Sequence, residues 1–204
     1  MIHEIKYNSQ RDNDPFGGQR LANAQCFPTC AWMFLAHFIR EIDATDDKGL
    51  AQFFNEIEEK IVGGSIIEQF RREFPNSNIP QGVYTSVYWD VECYGVNKYF
   101  ERYGVNKKAV WEEVNFGNLR DILFGSPVVF GTNLTAAGHI ILLKGYDDNG
   151  FYANDPWGDA KTDYKNTDGD TWYDNELVRS TGEQKTKRKN IMRVLYAHKG
   201  KGKV

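Results

Sequence analysis

An α+β fold is expected, because three features of the chain point the same way. Helical periodicity dominates its first 125 residues, short apolar runs of strand type dominate the rest, and a tight-turn signal sits between two of those runs. Length and composition agree with one folded unit. At 204 residues, 41% of them hydrophobic and 14% aromatic, the chain has enough apolar surface to offset its ordering entropy, so a single domain spanning 1–204 is expected.

The opening segment from Ile5 to Gly18 is rich in turn formers and reads as extended chain or loop. A first helix begins near Pro28, whose missing N–H costs nothing in a first helical turn; Ala31, Phe34, Leu35 and Phe38 give it an apolar face, and it frays near Asp43. Further helices are expected over Leu50–Val62, capped by Asp46 or Asp47, and over Ile66–Phe74, capped by Ser65. Aromatic residues cluster between Val83 and Tyr103, where a helix fits and core packing is the expected role. A short helix, Asn118–Phe124, should stop at Gly125.

The pattern then changes to strands at Pro127–Phe130 and Ile140–Leu143. A hairpin turn is expected at Asp147-Asp148-Asn149-Gly150, because Asn-Gly tolerates positive φ, with Phe151–Ala153 returning as the partner strand. Asn154–Asn175 reads as a polar loop or hairpin and Ile191–Tyr196 as a closing strand.

Charge and composition exclude several classes of function. A net charge of −3, with Lys185–Lys189 as the one basic run, gives no footprint for nucleic acid. No apolar stretch approaches the roughly 18 residues of a membrane span, so no membrane insertion is expected. The N-terminus lacks the basic-then-apolar layout of a secretory signal, so a soluble protein made in the cytoplasm is expected. Three cysteines, Cys26, Cys30 and Cys93, are too few for a disulfide framework and match no zinc spacing with four scattered histidines. Asn166, Asp168 and Asp170 resemble the start of a calcium loop, but Leu177 stands where a bidentate glutamate belongs; a turn rich in Asp and Gly is the expected reading, and no cofactor is implied. Trp157, Tyr164, Trp172 and Tyr173 are expected either to pack or to line a groove.

Chemistry concentrates at three residues. Cys26 falls two positions before Pro28, at the head of the most apolar helix, where unpaired N–H groups and the positive end of the dipole stabilise a thiolate. A buried structural cysteine is the bland alternative. His139 stands between the small residues Ala136-Ala137-Gly138 and an apolar strand, held yet accessible as a base must be. Asp155 ends the returning strand of the same hairpin, where it could fix the tautomer of His139 or simply open a turn before Pro156.

Taken together, the segments Tyr7-Asn8-Ser9-Gln10-Arg11-Asp12-Asn13, Cys26-Phe27-Pro28-Thr29-Cys30-Ala31-Trp32-Met33, Gly138-His139 with the strand after it, and Asn154-Asp155-Pro156 resemble the bacteriocin-processing-peptidase-like branch of the papain-like cysteine peptidases. The resemblance implies a papain-like fold with the nucleophile helix packed on a C-terminal antiparallel sheet. It also implies Cys26 as nucleophile, His139 as base, Asp155 as orienter and Gln10 as side-chain donor of the oxyanion hole; Gln19 and Gln25 are competing glutamines. Phe27 replaces the family's usual glycine and is expected to narrow the cleft or reshape the backbone beside the thiol, and Cys30 stands where a small residue is commoner.

The expected activity is thiol-dependent hydrolysis of a peptide or amide bond by a monomer. With no transporter domain in the chain, a peptidoglycan endopeptidase or amidase of the kind bacteriophages release, reaching the cell wall, is favoured over a leader-peptide processor. The alternatives are a cytoplasmic peptidase, a deamidase or an acyltransferase on the same site, and an inactive binding module of the same fold.

Overall fold

The computed structural model describes residues 1–12, 25–59, 64–185 and 190–199. It holds helices α1 (Cys26–Phe38), α2 (Asp47–Ile57), α3 (Ser65–Glu73), α4 (Trp89–Arg102), α5 (Leu119–Gly125) and α6 (Asn175–Gly182). Strands β1 (Lys107–Val114), β2 (Val128–Thr132), β3 (His139–Tyr146), β4 (Gly150–Asn154), β5 (Asp170–Asp174), β6 (Gln184–Lys185) and β7 (Asn190–Lys199) form one antiparallel sheet. Its order is β1-β7-β2-β3-β4-β5, with β6 beside β7.

The period-2 alternation of strand side chains divides the buried residues into two clusters, one on each face of the sheet. Val129, Leu142 and Leu195 join the apolar faces of α1 to α4, including Phe34, Leu50, Phe53, Phe70 and Phe100. Their neighbours Val128, Phe130, Ile141, Leu143 and Val194 turn the other way, onto Leu119 and Leu123 of α5 and Val178 of α6. A sheet covered on both faces explains why the central strands read as unbroken apolar runs. Helix α1 lies directly on β3 and β2, which joins the amino end of the first helix to the start of the strand led by His139.

Boundaries depart from expectation for identifiable reasons. Helix α1 ends at Phe38, because Ile39 turns to extended geometry and buries itself, well before Asp43. Asp46 caps α2 by accepting from the Lys48 N–H, and the helix stops at Ile57, before Glu58 leaves helical geometry; Val62 lies outside the described residues. Gly64, not Ser65, occupies the N-cap of α3, and Gly125 closes α5 without the positive φ of a glycine cap.

The β3–β4 hairpin forms where expected, but not through positive φ at Asn149-Gly150. Instead the Asp147 carboxylate accepts from both the Asn149 and Gly150 N–H groups, at 2.8 and 2.9 Å, and Asp147 N–H closes onto the Gly150 carbonyl. Strand β1 and helix α6 are additions to the expected elements, and β5 gives the Asn154–Asn175 region its hairpin. Among the described residues no helix is long and apolar enough to cross a membrane.

Candidate active site

Cys26 is the first residue of α1 and is half-buried. Gln25 precedes it in the cap position, where its carbonyl accepts the Thr29 N–H and starts the helix ladder. His139 opens β3 and is 6% exposed. Gly138 delivers it: a turn closed by the Gly138 N–H on the Thr135 carbonyl needs φ +83° at residue 138, a conformation that costs glycine little. The Thr132 hydroxyl, directly across the ladder, donates to the His139 carbonyl at 3.2 Å and anchors the strand start.

Asp155 follows β4 and is fully buried. Its Oδ1 lies 2.7 Å from His139 Nε2 and also accepts the Trp157 N–H, while Oδ2 accepts the Tyr173 hydroxyl at 2.9 Å. The carboxylate is thus fixed at both oxygens. With Nε2 committed to Asp155, Nδ1 is the ring nitrogen left to face Cys26, which lines the same cleft and helps to raise the pKa of the imidazole. Burial alone would lower the pKa of His139, but hydrogen bonds to Asp155 and Cys26 and the charges of both outweigh it, raising the value to about 9. The imidazole therefore keeps its proton at neutral pH.

The loop that carries Asp155 is held by close packing. Asp155 N–H donates to the Gly169 carbonyl, and any Cβ on Gly169 would fall 1.8 Å from the Asp155 carbonyl oxygen, so only glycine fits there. The N-terminal segment is laced to the same region: Asn154 Nδ2 donates to the Ile5 and Lys6 carbonyls, the Tyr7 hydroxyl to the Thr167 carbonyl, and the Gln10 N–H to the Pro156 carbonyl at 2.9 Å. The Arg11 guanidinium stacks 4.6 Å over the Trp157 ring and donates to the Tyr164 carbonyl. Gln10, 3% exposed, is thereby pinned beside the Asp155 loop, whereas Gln25 heads α1; Gln19 lies outside the described residues.

A cleft of about 440 Å³ opens at Cys26 and His139. One wall is Phe27 against Trp89, ring centroids 4.5 Å apart; the other is the small-residue turn Ala136-Ala137-Gly138. Phe27 is 2% exposed and turns its ring onto Trp89, so it builds the wall of the cleft.

Of the sequence-derived residues, the structure brings Cys26 and His139 to one cleft and hydrogen-bonds His139 to Asp155. Tyr173 is the partner that the sequence reading left among loop aromatics; in the structure it is 1% exposed and bonded to Asp155, and Tyr164 stands edge-on to His139 at 6.3 Å between centroids. Cys30, one turn below Cys26, is fully buried and donates to the Ile140 carbonyl, and burial, with the charges of Cys26, Asp155 and Glu92, pushes its thiol pKa well up. Asn166 and Asp168 accept the N–H groups two residues on, and Asp170 pairs with Lys144 at 2.6 Å, so these side chains are committed to turns and an ion pair. Among the described residues no three His, Cys, Asp or Glu side chains converge as metal ligands do.

Comparison with known proteins follows the same lines. A search of curated proteins gives no significant match. Among solved structures, a C39-like peptidase from Bacillus anthracis shares the fold at TM-score 0.53 and 19% identity, with 98% of each chain covered. A double glycine motif protease from an AMS/PCAT transporter, solved with its leader peptide, does so at TM-score 0.52 and 13% identity, covering 97% of this chain and 94% of the other. The family model described as Peptidase_C39 like family matches residues 2–179, a span that includes Cys26, His139 and Asp155. The chain therefore belongs to the Peptidase_C39 like family and is a cysteine peptidase with a papain-like α+β fold.

Proposed function

We propose that this peptidase works through Cys26 as nucleophile, His139 as proton carrier and Asp155 as the residue that orients the imidazole. The observation that carries the reading is that Cys26 and His139 line one cleft while the far ring nitrogen of His139 is bonded to the buried Asp155 carboxylate at 2.7 Å. Cys26 sulfur, paired with the His139 imidazolium, attacks the scissile carbonyl carbon. The oxyanion is met by the Cys26 backbone N–H and the Gln10 side chain, the latter worth about 3 kcal/mol as one oxyanion donor. His139 gives its proton to the leaving amine, then takes one from the water that hydrolyses the thioester. Asp155 holds the imidazole in place throughout, itself held by Tyr173 and the Trp157 N–H.

For substrate, the reading is peptidoglycan stem peptides, cut as endopeptidase or amidase by a protein acting alone as a monomer at the cell wall. What supports it is the cleft wall of Ala136, Ala137 and Gly138, whose small side chains leave room beside His139 for a peptide chain. A second reading, processing of a peptide precursor, is favoured by the leader peptide bound to the transporter protease of similar fold.

Zymography on purified cell walls, with mass analysis of released fragments and a parallel digest of alanine- and glycine-rich peptides, separates the two. Wall clearing that disappears in Cys26→Ala is expected. Untouched walls beside efficient peptide cleavage would contradict the peptidoglycan reading and leave the thiol mechanism standing.

A further inference from the structure

The floor of the cleft is a row of residues on the α1 face of the sheet, and its charge is one-sided. From the register, Thr132 faces His139 and Gly131 faces Ile140 across β2–β3, while Phe130 faces Val194 across β2–β7, which brings Arg193 alongside Gly131. Gly131 lets the Trp89 ring lie close against the floor: a Cβ there would meet the ring at 3.1 Å and Arg193 Cβ at 3.7 Å. Arg193 is therefore part of the cleft, and its side chain is 40% exposed. None of the described residues that form the cleft is acidic, so its charged groups are the Arg193 guanidinium and the His139 imidazolium, on a chain of net charge −3.

Arg193 is poorly engaged. Its buried Nε–H makes no hydrogen bond, and the nearest carboxylate, Glu113 Oε1, lies 3.5 Å from Nε and is itself 43% exposed. An ion pair of that length and exposure contributes little. A planar guanidinium that lines the cleft, partly exposed and weakly paired, fits a carboxylate better than any other group a peptide carries.

We propose that Arg193 is a specificity-determining residue that binds a carboxylate of the substrate, an acidic side chain or a free α-carboxylate. The inference rests on Cys26 and His139 being the reacting pair. Strands lie about 4.8 Å apart, so the strand of Arg193, two removed from that of His139, is roughly 10 Å away. At about 3.5 Å per residue of extended peptide, the carboxylate belongs within about three residues of the attacked carbonyl. An acidic stem peptide, or any peptide with a carboxylate at that distance, meets the requirement.

The test uses peptidyl acyloxymethyl ketones, which alkylate the nucleophilic thiol and carry groups on both sides of the reacting carbon. Each probe bears a carboxylate, or the matching carboxamide, at one of three positions on either side. The readout is the second-order rate of Cys26 alkylation by mass spectrometry. At one position the carboxylate should react roughly five- to tenfold faster, as a partly exposed ion pair predicts, with the advantage shrinking in high salt. Arg193→Gln should abolish that preference, bringing the carboxylate rate down to that of the matching carboxamide, and Glu113→Gln should preserve or increase it. Alkylation of Cys26 with no preference for carboxylate at any position, or a preference that survives Arg193→Gln, would overturn the role of Arg193 alone. Failure of every probe to alkylate Cys26 in a His139-dependent way would overturn the reacting pair and this inference with it.

Discussion

Cys26 and Cys30 stand one turn apart on α1, and the contrast between the first turn and the second shows what makes a thiol chemically useful. Cys26 heads the helix, half-buried, facing an imidazole whose pKa is raised to about 9. Cys30 is sealed against β3, bonded to the Ile140 carbonyl, its thiol pKa pushed well up by burial and by the charges around it. The residue type is the same and the helix is the same. Position at the helix end, access to solvent and an imidazolium neighbour separate the proposed nucleophile from a packing residue.

The sharpest break of this contrast is by substitution at each turn. Cys26→Ala should lower hydrolysis by about 10⁴-fold or more without unfolding the protein, as loss of a nucleophile does. Cys30→Ala should leave activity within about twofold and cost about 1 kcal/mol of stability, read by denaturant unfolding, since it trims a buried apolar side chain. Equal losses of activity at the two positions would erase the distinction.

The next effect sharpens the role of the imidazolium through pH. The folded pKa of His139 is raised to about 9 against about 6.5 for a free imidazole. The stabilisation that this buried ion pair contributes is therefore complete below about pH 6.5 and is lost as pH rises through about 9. Hydrolysis should fall along the same alkaline limb. Asp155→Asn removes the partner that does most to raise the value, so the limb should move to lower pH in a rate profile of kcat/KM, with the rate itself reduced about 10²-fold or more.

A smaller effect tests the anchoring of Asp155. Tyr173→Phe deletes one hydrogen bond to a buried carboxylate oxygen and leaves that oxygen without its donor, a cost of about 1–3 kcal/mol. A roughly tenfold loss of kcat/KM with KM nearly unchanged is expected, and an unaltered kcat would show that the Trp157 N–H and His139 hold the carboxylate on their own.

Much of this site was legible in the sequence because its signals are local. A cysteine ahead of Pro28, a histidine after Gly138 and an aspartate before Pro156 each sit at an element end, where residue type and backbone geometry are tightly linked. What escaped depends on distant contacts. Strand β1 reads Lys-Lys-Ala-Val-Trp-Glu-Glu-Val, and its charged residues mask an alternation that pairing with β7 supplies, Ala109 to Ala197 and Trp111 to Leu195. Tyr173 was recognisable as an aromatic on the polar stretch after β4, but only the β4–β5 ladder turns its hydroxyl toward Asp155. Arg193 carried no motif, because its relation to the cleft arises from register across three strands. The hairpin at Asp147 formed for a different reason from the one expected, since a side-chain acceptor did what positive φ was expected to do.

The most direct measurement compares the rates at which iodoacetamide alkylates each of the three cysteines at neutral pH, resolved by peptide mass, in the native protein and in His139→Ala. Cys26 should react about 100-fold faster than Cys30 or Cys93 and lose most of that advantage without the imidazole. A Cys26 no more reactive than Cys93, or one whose rate is indifferent to His139, would contradict its assignment as the nucleophile.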